Sequence, residues 1–313
     1  MKKSIKLMFI LLLILFIVAC SKQPSASSSS RFVGGSDGLD ISFIKDEPPD
    51  TVLDDNQDEF DIALSMENAG EEDINAGDVI VTLNGIEKDA FSLSSLSAKN
   101  EDFLAGKKKL TDRVIPGEQG EVLFTKLKYK DKLPADFDVE LRADVCYEYG
   151  TRSMADMCLK KEASKRRTND QCEVSDDSVE VDNSGAPIKI TNFAQRPKGS
   201  DKVQFTFDIE KTGSGDVFET GTFSDKCIMD NDRLNKVNVE VNFLRADAGI
   251  SCTTLSGKNK GIVKLLSGKR TIRCDVSTSS LQDIAFKKPL LVKIDYEYKD
   301  SISKTFIVES TEF

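Results

Sequence analysis

Six cysteines between positions 146 and 274 have spacings that favour disulfide chemistry over a metal or redox site. Consecutive members are 12, 14, 55, 25 and 22 residues apart, and no Cys-x-x-Cys pair occurs among them. Zinc modules need closely spaced pairs of ligands, and these spacings match none of them. An even set predicts up to three disulfides, with fifteen possible pairings. The candidates are Cys146, Cys158, Cys172, Cys227, Cys252 and Cys274.

Histidine and tryptophan are both absent from the 313 residues. A Ser-His-Asp or Cys-His nucleophile is therefore impossible, and so is a zinc site with histidine ligands. We expect no enzymatic activity and no cofactor. An enzyme that uses only carboxylates remains an alternative, because the chain contains 53 Asp and Glu residues and the sequence does not show which of them converge.

The densest run of carboxylates is a candidate calcium loop. Calcium takes six to eight oxygen ligands, and an acidic loop between strands supplies them readily. The glycine of an EF-hand loop is missing here, so a solvated acidic loop is the simpler interpretation. The candidate ligands are Asp54, Asp55, Asp58 and Glu59.

A seventh cysteine, Cys20, ends an N-terminal segment that is typical of exported proteins. Three lysines precede the apolar run from Leu7 to Ala19, which is too short to span a bilayer and predicts a signal peptide at residues 1–19. The residues Ile17-Val18-Ala19-Cys20 resemble the lipobox of lipoprotein signal peptides. That resemblance implies a lipid anchor on Cys20. An ordinary signal peptide or a retained anchor is the alternative.

The predicted location is the outer face of the cytoplasmic membrane or the cell surface. Residues 20–36 are rich in serine and are interpreted as a tether between the lipid anchor and the folded part. The formal net charge of −10 argues against nucleic acid as a partner and against general attraction to anionic headgroups.

Apolar residues in the rest of the chain alternate with a period of two, which predicts half-buried antiparallel strands. The alternation is strict from Phe137 to Tyr147, and again through Val203, Phe205, Phe207 and Ile209. Strand-like segments separated by turn signals are typical of an all-β sandwich.

The chain also contains an internal repeat. Tyr147-Glu148-Tyr149 aligns with Tyr296-Glu297-Tyr298 at an offset of 149 residues. This spacing predicts duplicated domains rather than a solenoid. We therefore expect two immunoglobulin-like β-sandwiches at residues 37–160 and 185–313, joined by a polar linker at 161–184.

The strand parity gives a hypothesis for the disulfides. Cys146 and Cys158 both face away from the predicted core. If Gly150 to Met154 forms a turn, the two cysteines lie nearly opposite each other and can be bonded. Cys252 pairs with Cys274 across a second hairpin, and elimination leaves Cys172 with Cys227.

Several structural motifs resemble those of predicted surface lipoproteins from small-genome, Woesearchaeota-like archaea. These are Phe32 to Leu39, Phe43 with Pro48-Pro49-Asp50, the strand and turn Phe60 to Gly70, the opener Gly185 to Ile190, the Cys146/Cys158 hairpin and the Tyr-Glu-Tyr triplets. Members of that group carry tandem CARDB-like or other immunoglobulin-like domains. The resemblance implies anchoring and a domain type, and it implies no activity.

The predicted function is that of a non-catalytic surface module that binds other surface proteins or envelope components. A ligand-binding lipoprotein of a transport system is the first alternative. The chain lacks the βαβ pattern of the two-lobed receptors that serve transporters. The carboxylate-dependent enzyme is the second alternative.

Overall fold

The computed structural model describes residues 30–312, apart from residues 112, 166–167 and 245–248. The predicted signal peptide, Cys20 and most of the predicted tether lie outside the described residues. The described part of the chain has no helix with the length and hydropathy needed to cross a membrane.

The first half of the chain forms strands β1 to β9. Their bounds are Leu39–Phe43 (β1), Thr51–Leu53 (β2), Phe60–Asn68 (β3), Val79–Asn84 (β4), Ser97–Lys99 (β5), Lys108–Lys109 (β6), Val114–Ile115 (β7), Gln119–Leu127 (β8) and Phe137–Leu159 (β9).

The second half forms strands β10 to β18 and a short 3-10 turn at Thr253–Leu255. The strands are Val181–Asn183 (β10), Ile188–Lys198 (β11), Lys202–Lys211 (β12), Asp216–Phe218 (β13), Lys236–Phe243 (β14), Ile250–Cys252 (β15), Lys260–Lys264 (β16), Lys269–Ser277 (β17) and Phe286–Glu309 (β18). The predicted all-β class is confirmed.

The strands make one large sheet and three smaller ones. The large sheet has nine strands, ordered β16-β14-β18-β9-β4-β5, with β2, β10 and β13 paired at its sides. A three-stranded sheet, β1-β3-β8, belongs to the first half, and a four-stranded sheet, β11-β12-β17-β15, belongs to the second. Strands β6 and β7 pair only with each other. One hydrophobic cluster joins buried residues of both halves, so the layers form a sandwich around a shared core.

The two longest strands hold the halves together. Strand β18 pairs antiparallel with β9 from Phe286 opposite Leu159 to Val308 opposite Phe137. In this register Glu148 lies opposite Glu297, and each glutamate is flanked by tyrosines that face tyrosines of the other strand. Because the two Tyr-Glu-Tyr triplets are the equivalent positions of the repeat, the glutamate pair marks a local two-fold axis.

The predicted turn at Gly150 to Met154 is wrong. Strand β9 continues through it, and its odd-numbered side chains stay buried from Val139 to Leu159. Thr151 and Ser153 occupy this inward face and satisfy their hydroxyls there. The Thr151 hydroxyl donates to the carbonyl of Ile188 at 2.8 Å, and the Ser153 hydroxyl donates to the side-chain oxygen of Asn183 at 2.7 Å. Polar residues that suggested a turn therefore belong to a buried strand.

The predicted linker at residues 161–184 does not separate two independent sandwiches. Residues 31–313 cluster as one compact unit, and the large sheet contains strands of both halves. Strand β10, inside the predicted linker, pairs with β9. Lys160, just before this segment, is almost fully buried, and its ammonium donates to Asp170 at 2.7 Å. The two halves share one continuous sheet and are not two separate domains.

Candidate functional site

The N-terminal segment of the described chain is fixed where the two halves meet. The carboxylate of Glu71 accepts hydrogen bonds from the backbone N–H groups of Val33 and Gly34, at 2.9 and 2.8 Å. It also accepts one from Gly185 at 2.6 Å, and Gly185 opens the second half. The guanidinium of Arg31 forms an ion pair with Asp156 at 2.8 Å. We call this region the attachment corner: residues 31–35, 70–73 and 185.

Four tyrosines pack together at the two-fold axis, on the inward side of the large sheet. Their ring centroids are 5.6 to 6.5 Å apart across the cluster. Burial raises the pKa of the Tyr298 hydroxyl to about 12 and moves the pKa of the other three in the same direction. These hydroxyls stay protonated at neutral pH and fix the local backbone. The members are Tyr147, Tyr149, Tyr296 and Tyr298.

Three hydroxyls of this cluster form hydrogen bonds with groups at the ends of strands or in the loops between them. Tyr147 accepts the N–H of Leu39 at 3.1 Å, and Tyr298 accepts the N–H of Gly215 at 2.7 Å. Tyr149 donates to the side chain of Asn68 at 3.1 Å. A Cβ added at Gly70 would lie 2.0 Å from the Tyr149 hydroxyl, so only glycine fits there. The tyrosine hydroxyls therefore hold the surrounding chain in position.

The glutamate pair lies on the opposite side of the sheet, beneath a segment from the second half. Glu297 is buried, and its carboxylate accepts the N–H groups of Gly221, Thr222 and Phe223 at 2.9, 2.8 and 2.9 Å. Burial raises the pKa of Glu297, and the charge of Glu148 adds to the increase. Glu148 is exposed at the mouth of a cleft of about 160 Å³. Glu297 is thus occupied in holding the covering segment.

The predicted bond between Cys146 and Cys158 is wrong. Both cysteines lie on β9, twelve residues apart, which at about 3.3 Å per residue puts them about 40 Å from each other. The structure pairs Cys146 with Cys227 instead, with 5.6 Å between their Cα atoms. Cys146 does lie on the face opposite the tyrosines, as the parity indicated. That face is covered by the segment that carries Cys227, packed with Ile80 and Phe223.

The other two disulfides also have defined places. Cys158 bonds Cys172, which corrects the predicted pairing of Cys172 with Cys227 and ties the segment after β9 back to that strand. Cys252 bonds Cys274 between the paired strands β15 and β17, and this predicted pair is confirmed. A cavity of about 200 Å³ lies beside the Cys158–Cys172 bond.

The candidate calcium residues have separate structural roles. Asp54 is buried and accepts hydrogen bonds from Leu133 at 2.6 Å and from Thr311 at 3.0 Å. These bonds lower its pKa. Asp58 accepts the N–H of Leu53 at 2.8 Å, and Glu59 forms an ion pair with Lys128 at 3.3 Å.

Asp55 stands at a turn with a positive φ of 51°. Within the described ranges, no three Asp, Glu, Cys or His side chains converge closely enough to hold a metal ion. Of this acidic run, Asp54 contacts the C-terminal end of the chain through its hydrogen bonds with Thr311.

A cavity of about 380 Å³ is an open groove beside β1. Ligand sites usually enclose 300–1,000 Å³ and bury most of their ligand. This groove is lined by Asp40, Asp300 and Ile302 among others, and Asp40 is exposed to solvent.

One exposed element was not anticipated from the sequence. Strands β6 and β7 form a small hairpin, residues 106–117, which we call the basic hairpin. Its signal was present in the chain as Lys107-Lys108-Lys109 close to Val114-Ile115, between two glycines. Each strand has only two residues, so no alternation revealed it.

The fold and the disulfides define an all-β protein of an oxidising, extracytoplasmic compartment. No protein-family model matches the chain, and no curated protein matches it. Among solved structures, it is similar to the secreted serine protease VesC from Vibrio cholerae, with 10% identity and a TM-score of 0.19. That match covers 83% of this chain but only half of the protease.

A second solved structure is a chaperone-tip adhesin complex of CFA/I fimbriae, with 11% identity and a TM-score of 0.10. The match covers 90% of this chain and 83% of that one. Both scores are too low to support a functional argument.

Proposed function

We propose that this protein is a lipid-anchored, extracytoplasmic surface module that binds other surface proteins or envelope components and catalyses no reaction. In this proposal residues 1–19 are a signal peptide, Cys20 carries the lipid, and residues 20–36 are the tether. The disulfides support export, because such bonds persist in oxidising compartments.

The attachment corner is the observation that carries this proposal. A module displayed on a tether needs a firm joint where the flexible chain enters the folded body. Glu71 supplies that joint by binding Val33 and Gly34 on one side and Gly185 on the other. The body beyond it is stiffened by the pairing of β9 with β18 and by three disulfides, so it would present its loops in fixed positions.

Membrane fractionation of cells that produce the Cys20→Ser variant tests the anchor. We expect the wild-type chain and a Ser21→Ala control in the membrane fraction, and most of the variant outside it. Each buried CH₂ of a covalently attached acyl chain contributes about 0.8 kcal/mol to membrane binding, so loss of lipidation should have a large effect. Equal membrane association of Cys20→Ser and wild type contradicts the lipid anchor.

The interaction role is tested separately, by chemical cross-linking on intact cells followed by affinity capture and mass spectrometry. We expect the same surface or envelope proteins to be recovered with independent cross-linkers. Recovery of a small-molecule transporter subunit as the sole partner would favour a ligand-binding lipoprotein instead.

A further inference from the structure

The basic hairpin exposes both charge and apolar surface. Lys108 pairs with Ile115, and Lys109 pairs with Val114. Val114 is 50% exposed, and Leu110 and Ile115 are each 41% exposed. Residues 107–115 contain three lysines and one arginine against a single acid, in a chain whose net charge is −10. The hairpin is therefore a local exception to the acidic character of the protein.

The hairpin is held rigidly at its base. The N–H of Lys107 donates to the carbonyl of Gly70 at 2.7 Å, and the N–H of Gly106 donates to the carboxylate of Asp73 at 2.8 Å. A Cβ on Gly117 would lie 1.8 Å from the carbonyl oxygen of Asn68, so the closing strand is packed directly against backbone. The exposed side chains of Leu110, Val114 and Ile115 therefore belong to a hairpin whose base is held in a fixed position.

The base of the hairpin belongs to the attachment corner. Gly70 precedes Glu71, whose carboxylate holds Val33 and Gly34. A Cβ on Gly106 would meet the backbone of Glu71 at 2.6 Å. Residues 31–35 and the base of the hairpin thus lie at the same corner of the folded body.

We infer that the basic hairpin docks on the surface of an anionic lipid bilayer, with its lysines at the headgroups and Leu110, Val114 and Ile115 at the acyl boundary. This inference rests on the proposed lipid anchor, which would keep the attachment corner near the membrane. Cationic side chains beside exposed aliphatic ones have the chemistry of interfacial membrane binding. The hairpin would set the orientation of the body, and the lipid would set its location.

Binding of residues 21–313 to lipid vesicles tests whether the lysines of the basic hairpin are attracted to anionic lipid. This chain keeps the compact body of residues 31–313 and has no lipidation site. We expect it to bind phosphatidylcholine vesicles that contain phosphatidylglycerol, and not vesicles of phosphatidylcholine alone. Lys108 also forms an ion pair with Asp73 at 3.7 Å. Each lysine near an anionic surface contributes a factor of up to about five in affinity, so K107Q/K108Q/K109Q should bind up to about a hundredfold more weakly.

Strand β16 offers a matched control. It lies at one edge of the large sheet, with Lys258 just before it, Lys260 and Lys264 on it, and Ile262 51% exposed. The K258Q/K260Q/K264Q variant removes the same charge and should keep wild-type binding. Equal loss in both triple variants would show attraction to charge in general and would overturn the inference.

A fluorescence probe tests the apolar contact. The chain has no tryptophan, so Leu110→Trp introduces a single reporter on the hairpin, and Ile262→Trp is its control on β16. We expect the emission of the Leu110→Trp variant to shift to the blue on phosphatidylglycerol vesicles, to stay shifted when salt is raised, and the control to show no shift. An unchanged spectrum of the Leu110→Trp variant would overturn the inference and leave the hairpin as a face for a protein partner.

The two proposals fail differently. If the lipid anchor exists and the hairpin does not dock, the Cys20→Ser variant is found outside the membrane fraction, and residues 21–313 do not bind vesicles. If the hairpin docks without a lipid anchor, Cys20→Ser and wild type associate equally with membranes, and adding K107Q/K108Q/K109Q lowers the association of both.

Discussion

Replacement of Glu71 by glutamine should open the attachment corner without unfolding the protein. One carboxylate oxygen accepts Val33, and the other accepts both Gly34 and Gly185. A glutamine has one acceptor oxygen. Its best orientation keeps Gly34 and Gly185 bonded and turns the amide NH₂ against the N–H of Val33.

The magnitude follows from these three bonds. Hydrogen bonds to a charged group contribute about 1.5–3 kcal/mol each, and neutral ones about 0.5–1.5 kcal/mol. The variant loses one bond and converts two from charged to neutral. Glu71 is only partly buried, so solvent screens part of the difference, and we expect a cost of about 2 kcal/mol. Since 1.4 kcal/mol is a factor of ten, local opening should become about thirtyfold more frequent.

Hydrogen exchange at single-residue resolution is the assay. Amides of Val33, Gly34 and Gly185 should exchange about thirtyfold faster in Glu71→Gln, while amides in the centre of β9 change much less. Glu67→Gln is the control, because Glu67 lies four residues earlier and accepts a single bond from Gln119 at 3.0 Å. Unchanged exchange at the three amides would refute the assignment of Glu71 as the joint.

Three further outcomes are expected. Burial raises the folded-state pKa of Glu297 above its ordinary value of 4.5, so the folded state keeps the proton to a higher pH than the unfolded state. The free energy of unfolding should therefore fall as pH rises from about 4.5. Denaturant titrations across this range should show a smaller fall for the Glu297→Gln variant. Replacing Cys146 and Cys227 by alanine should cost up to about 4.5 kcal/mol in denaturant titrations, more than removing either other disulfide, because the loop closed is 81 residues rather than 14 or 22. Non-reducing peptide mapping should recover the same bond. Gly117→Ala should lower the free energy of unfolding by about 3 kcal/mol, since its Cβ meets a backbone carbonyl, whereas Gly249→Ala has nothing within 4 Å and should be neutral by the same measurement.

The strands were predictable because burial follows alternation. Val203, Phe205, Phe207 and Ile209 are all fully buried, as their period of two indicated. The length of β9 was also encoded, since Met157 and Leu159 keep the odd parity that begins at Val139. Gly150 and the polar residues after it suggested a turn. Only the second half supplies the partners that satisfy those polar groups inside a strand.

Long-range partners were not predictable from one sequence. Parity placed Cys146 on the correct face of its strand, but it could not show that a segment 81 residues later covers that face. The acidic residues of 54–59 gave the same difficulty. Their composition suggests a cation-binding site, whereas the carboxylate of Asp54 accepts hydrogen bonds from the backbone N–H groups of Leu133 and Thr311. These two residues are distant in the sequence, and only the tertiary fold brings them close to Asp54.

The pairing of β9 with β18 explains why the two halves form one compact unit. Two separate sandwiches would each expose a strand of more than twenty residues at an edge, and long exposed edges invite aggregation. Joining the two edges removes both hazards and brings the Tyr-Glu-Tyr triplets together at the two-fold axis. At this axis the symmetry is broken on the outer face, where the N–H groups of Gly221 to Phe223 bind Glu297 and leave Glu148 exposed. The segment that breaks the symmetry also carries Cys227, so its disulfide to Cys146 binds the halves covalently at the point where they already pair.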